Sequence, residues 1–194
     1  AIDQGIGNDG DTLLQGGLTE KTHQHIPETV NFEQAFSETP IVFAKLGSYF
    51  GSDPANIRLG AISNSGFEAR VYEDQSFDTE MNHVNEQINF LALGDSSGLF
   101  TGEVLQKTIG EYGTITNLNH NWQTITLNQN YINPVVIVSD PTFNGTDPAT
   151  VRLDNVTENS FELRIQKGNY QDDDPVLETA ETASYLVVEA GDWE

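Results

Sequence analysis

The segment SYFGSDPANIRL at 48 to 59 returns as TFNGTDPATVRL at 142 to 153, displaced by 94 positions. A self-match of this length constrains the fold more than any local propensity, because two copies of one sequence build two copies of one unit. GFEARV at 66 to 71 returns as SFELRI at 160 to 165, and Pro40 as Pro134, at the same displacement. With a one-residue adjustment, His25, Val30, Phe32 and Phe36 answer to His120, Ile125, Leu127 and Tyr131, and EQINFLAL at 86 to 93 answers to ETASYLVV at 181 to 188. At the entries, Leu14, Gln15 and Glu20 are matched with Leu105, Gln106 and Glu111. The repeat thus covers nearly the whole chain and divides it into units 1–95 and 96–194, with GDSSG at 94 to 98 as the linker.

Each copy reads as short strands punctuated by turns. PIVFAKL and PVVIVSD are apolar runs opened by a proline, which lacks the amide needed inside a ladder and so starts or edges a strand. GSDPA and GTDPA carry tight-turn chemistry, and IRLGAI, SNSG, FEARVY is alternation, turn, alternation, as in a hairpin. No segment sustains a 3.6-residue apolar period, so helices are expected to be short or absent. The expected fold class is all-β, two tandem antiparallel β-sandwich modules. The opening GNDGDTLLQGG reads as an N-terminal linker with a Gly-Asp texture like that of calcium-binding nonapeptide repeats.

Thirty acidic residues against eight Lys and Arg give a formal charge of −22. Nucleic acid and anionic membrane surfaces are therefore repelled, and self-repulsion makes stability rise with salt. There is no cysteine, which removes disulfides and thiolate sites. No stretch approaches the ~20 apolar residues of a membrane-spanning helix. The chain opens without a charged and apolar leader and reads as a mature or excised fragment. The composition is that of secreted proteins of marine or salt-adapted bacteria, which places the chain outside the cell or at its surface.

The order ETVNFEQAFSETPIVF, an IRL strand and SNSGFEARVY resembles the H-type lectins, and TITLNQNYINPVVIVS, VRL and VTENSFELRI resemble them further. The resemblance covers most of each copy and implies a sandwich fold and binding of N-acetylgalactosamine-type sugars. The family's binding arginine matches Arg58 and Arg152. Its tryptophan-histidine pair has no match, since those positions fall near Asp74-Gln75 and Gly168-Asn169.

The arginines are repeat-paired, Arg58 with Arg152 and Arg70 with Arg164. Alternation places Arg58, Glu68 and Arg70 together on the outer face, either as a charge-neutralising ladder or as a sugar or carboxylate clamp. The candidate ligand site of the second copy comprises Arg152, Arg164, Asn169 and Tyr170, with Trp122 beside it and Tyr170 as the stacking ring. The first-copy counterpart comprises Arg58, Arg70, Asp74 and Phe77. Asp172, Asp173, Asp174 and Glu178 form the densest carboxylate cluster, which reads as a calcium site or as a solvated acidic loop. Asp53 and Asp147 suit turn capping, with calcium ligation as the other reading. No phosphate loop, dinucleotide fingerprint or hydrolase motif is present, so a non-enzymatic protein is expected. Two function classes follow, a carbohydrate-binding module whose partner is a glycan or polysaccharide, and a structural or adhesive repeat that assembles as a homo-oligomer or filament.

Overall fold

In the computed structural model, residues 4–9, 12–73, 80, 82–95, 97–102, 107–145, 149–167 and 179–191 are described. Seven strands run through the first copy: β1 Gly5–Asp9, β2 Thr12–Leu18, β3 Glu28–Asn31, β4 Ile41–Leu46, β5 Ala55–Ser63, β6 Gly66–Glu73 and β7 Ile88–Leu93. Seven more run through the second: β8 Ser97–Gly102, β9 Lys107–Leu118, β10 Gln123–Thr126, β11 Pro134–Val138, β12 Ala149–Asp154, β13 Ser160–Lys167 and β14 Glu181–Glu189. Among the described residues no helix occurs, and the protein is all-β.

The first copy pairs in the orders β1-β2-β7-β4 and β3-β6-β5, and the second in the orders β8-β9-β14-β11 and β10-β13-β12. Strand for strand, the pairing order of the second seven repeats that of the first. Every strand pair is antiparallel. In each copy the four-stranded and three-stranded sheets face one another across a single core. Phe32, Phe67 and Phe90 meet in the first, and Phe161 and Tyr185 in the second, with rings in tilted or edge contact.

Local chemistry accounts for the elements. Pro134 opens β11 at the rim of its sheet, where its missing amide costs no ladder bond. The β5–β6 hairpin turns at Asn64-Ser65, and Ser63 Oγ both accepts from the Ser65 amide and donates to the Gly66 carbonyl. Gly17 and Gly113 occupy one structural position. A Cβ on Gly17 would lie 2.4 Å from the Phe90 ring, and one on Gly113 would lie 2.7 Å from the Tyr185 ring. The absent side chain lets each aromatic lie flat across the neighbouring strand.

Two expectations are corrected. The opening segment is no linker: β1 and β2 form a hairpin that completes the first four-stranded sheet. Gly17 belongs to a strand because Phe90 covers the space its side chain would take. The entry alignment also shifts. Gln15 pairs with Ala92 on β7, and Glu111 pairs with the matching Val187 on β14, so Glu111 answers to Gln15 and not to Glu20.

Glu111 is fully buried and accepts from the Asn128 amide at 2.8 Å, the Tyr131 hydroxyl at 3.0 Å and the Tyr185 hydroxyl at 3.1 Å. Burial, and next the Glu111 carboxylate, push the Tyr185 phenol up to about 12 and raise Tyr131 as well. Unfolded tyrosine titrates near 10. The stability these protonated phenols contribute is therefore complete below about pH 10 and is lost as pH climbs through the folded values. On alkaline titration Tyr131 and Tyr185 are expected to ionise only together with loss of the fold; their ionisation near pH 10 in the intact fold would contradict this assignment.

Candidate functional site at the junction of the copies

The loop after β4 and its counterpart after β11 are each held from within by a buried glutamate at the start of the last strand of their copy. Glu86 Oε1 accepts from the Phe50 amide at 2.8 Å and the Gly51 amide at 2.9 Å, and Glu86 Oε2 accepts from the Ser48 hydroxyl. Glu181 accepts from the Asn144 amide at 2.9 Å, the Gly145 amide at 2.7 Å and the Thr142 hydroxyl at 2.5 Å. The same residue types at matched positions thus fold the same loop twice. Burial pushes the Glu86 carboxyl up, but the hydrogen bonds from Ser48, Gly51, Phe50 and His83 together outweigh it and hold the group below its ordinary value.

The nitrogen partners that meet the two carboxylates differ. In the first copy His83 comes from the same module, its ring nitrogens lying 3.3 Å from Glu86 and 3.1 Å from Glu73. In the second copy the cation is Arg58 of the first module. Its guanidinium is 2% exposed, donates to the Pro141 carbonyl at 2.9 Å and to the Thr142 carbonyl, and lies 3.3 Å from Glu181. Thr142 bridges to Leu59 at the rim of β5, and the Phe143 amide donates to the Leu59 carbonyl at 3.2 Å. The Phe143 ring lies under Arg70 at 3.9 Å and beside Tyr72 at 5.5 Å. Lys45 reaches Asp140 at 2.5 Å, and Ile41, Leu93 and Tyr112 close an apolar cluster between the copies.

The outer-face ladder expected of Arg58, Glu68 and Arg70 is therefore replaced. Arg58 stands directly across from Arg70 and takes its carboxylate from the other copy. As a ligand residue Arg58 is also corrected, because its donors are committed to main-chain carbonyls of the second module. Burial lowers Arg70, and the nearby Glu68 opposes that effect.

Arg152, which matches Arg58, is exposed and donates only to Gln166 Oε1, at 2.6 Å, among the described residues. It stands across from Arg164, whose guanidinium lies 4.8 Å from the Trp122 ring. Trp122, 44% exposed, precedes the β10 residue paired with Leu163, so Trp122, Arg164 and Arg152 form a row over the three-stranded sheet. Arg164 Nε and His120 Nδ1 are buried there without a hydrogen-bond partner among the described residues. Three of the expected site residues are thus brought together. Asn169, Tyr170, Asp74 and Phe77, the carboxylates Asp172, Asp173, Asp174 and Glu178, and Asp147 lie outside the described residues.

Glu86, Glu181 and His83 were not singled out by sequence reasoning. A signal for the glutamates was present: EQINFLAL and ETASYLVV both begin with Glu, at matched positions heading the apolar run of the last strand of each copy. For His83 the sequence offers no comparable signal.

The chain is similar to halomucin of Haloquadratum walsbyi, at 28% identity over 172 residues. The match takes in 84% of this chain and 2% of that protein, so the chain spans a small fraction of the relative's length. No family model matches the chain, and no solved structure matches it.

Proposed function

We propose that this chain is a structural element of a long extracellular protein, a rigid pair of β-sandwich modules that spaces or presents other parts of that protein and performs no catalysis of its own. The observation that carries this reading is the burial of Arg58 against Pro141, Thr142 and Glu181. The residue that the lectin resemblance assigns to ligand is used here to fix one module on the next. A buried pair of this kind specifies geometry more than it adds stability. The similarity to a much longer protein and the acidic composition support an extracellular setting.

A second reading, carbohydrate binding, is favoured by one observation, the open row Trp122, Arg164, Arg152. An aromatic face beside guanidinium donors suits a sugar ring and its hydroxyls or carboxylate. The acidic segment with Asp172 and Asp174, which follows Arg164 in the sequence, would be the candidate to bind calcium under this reading. A glycan array that includes acidic polysaccharides, run with and without calcium, separates the two readings. The spacer reading expects no hit that depends on this face. Hits that Arg152→Ala and Trp122→Ala abolish would replace it with the lectin reading.

A further inference from the structure

We propose that the outer edge of β12, with Arg152, is a docking surface for a second copy of this chain, entered by that copy's Ser48–Phe50 loop. The inference rests on the spacer reading, because the internal junction is its template. In that junction the first module offers the edge of β5 and Arg58, and the second offers the Thr142-Phe143 loop carried by Glu181. The two sides are unlike, so the contact is heterologous, and each module has one half left over.

Both spare halves are exposed. β12 ends its sheet, and among the described residues its outer edge has no backbone partner. Val135 on β11, the edge strand of the four-stranded sheet of the same copy, is 51% exposed, whereas its counterpart Ile41 is 1% exposed and packs with Tyr112 of the second module. An unpaired, partly apolar sheet edge is a template for pairing with another chain. On the first copy, Tyr49 matches Phe143 and is 80% exposed, with Phe50 next to it also exposed. Glu86 already holds this loop in the shape that its counterpart has in the junction.

Charge complements shape. Arg152 would meet the Gly47 and Ser48 carbonyls, the counterparts of Pro141 and Thr142, with Glu86 and Glu73 behind them. His83 partners both carboxylates from within, so the incoming guanidinium relies first on the carbonyls, as Arg58 does. Tyr49 would lie against Arg164 on the side away from Trp122, as Phe143 lies against Arg70.

Sedimentation velocity of the full chain over a concentration series tests the proposal, in ~1 M salt, where charge repulsion is screened within about 3 Å. Association is expected to grow with concentration and to pass beyond a dimer, since a head-to-tail contact leaves free ends. Arg152→Glu and Tyr49→Glu should each weaken it at least about tenfold, with unchanged melting because both side chains are exposed. Mixing the two variants should restore a dimer and nothing larger, one variant supplying an intact loop and the other an intact edge. A chain that stays monomeric throughout, or an association that survives either substitution, overturns the proposal. So does a mixture of the variants that remains monomeric. These outcomes leave the spacer reading intact, which stands or falls on the glycan array and on the internal junction.

Discussion

Replacing Arg58 by alanine is expected to destabilise the chain by about 3–5 kcal/mol, the typical cost of removing one partner from a buried ion pair. The loss leaves Glu181, fully buried, without its cation, and leaves the Pro141 and Thr142 carbonyls without the guanidinium donors. Arg152→Ala, the same substitution at the matching position, is expected to change stability by no more than about 0.5 kcal/mol, because an exposed side chain bound to Gln166 regains water. Urea denaturation of the two variants side by side reads the difference. Adding Glu181→Gln to Arg58→Ala should recover part of the loss, since the stranded charge is then gone. Equal effects at Arg58 and Arg152 would mean that the junction does not form in solution.

The second large effect is expected in the core of the second copy. Glu111→Ala leaves the Asn128 amide and the Tyr131 and Tyr185 hydroxyls without their acceptor. Buried donors left unsatisfied cost roughly 1–3 kcal/mol each, so a loss of about 4 kcal/mol is expected. The first copy supplies the remedy. Its counterparts of Glu111, Tyr131 and Tyr185 are Gln15, Phe36 and Phe90, and Gln15 is satisfied locally, its Oε1 accepting from the Gln34 amide at 3.1 Å and its Nε2 donating to the Gln34 carbonyl. The triple variant Glu111→Gln, Tyr131→Phe, Tyr185→Phe removes the charge together with both hydroxyl donors, leaves the glutamine Oε1 to accept from the Asn128 amide, and should lie within about 1.5 kcal/mol of the parent. Thermal and urea melts of the single and triple variants decide it. A triple variant as unstable as Glu111→Ala would show that the two copies solve the same position in ways that cannot be exchanged.

The all-β class and the hairpins were legible because their signals are local: period-two alternation, the SNSG turn, and prolines at strand starts. The N-terminal hairpin was not, because its cue is distant. Gly17 looks like loop composition until Phe90 is known to lie over it, and nothing near Gly17 announces that ring. The entry alignment went astray for a chemical reason. Glu111 was matched to the identical Glu20, whereas its counterpart Gln15 differs in charge along with the aromatics that surround it. Arg58 and Arg152 mark the sharper limit. They sit in near-identical strings, IRL and VRL, and one is buried while the other is exposed. What separates them is a segment more than 80 positions away in the chain, which covers Arg58 and has no counterpart over Arg152 among the described residues.

The carboxylate that props each inter-strand loop has a mechanical corollary. The Ser48–Phe50 loop keeps its shape with nothing docked on it, and the Thr142–Asn144 loop keeps the same shape with Arg58 seated. The ordering entropy of the joint is therefore lost when each sandwich folds, not when two sandwiches meet, so the joint is preorganised and re-forms without refolding. Under tension along the chain, the few contacts between modules yield before the continuous antiparallel ladders inside them. A polymer made this way lengthens by parting its joints and recovers its length by closing them, with every sandwich intact throughout.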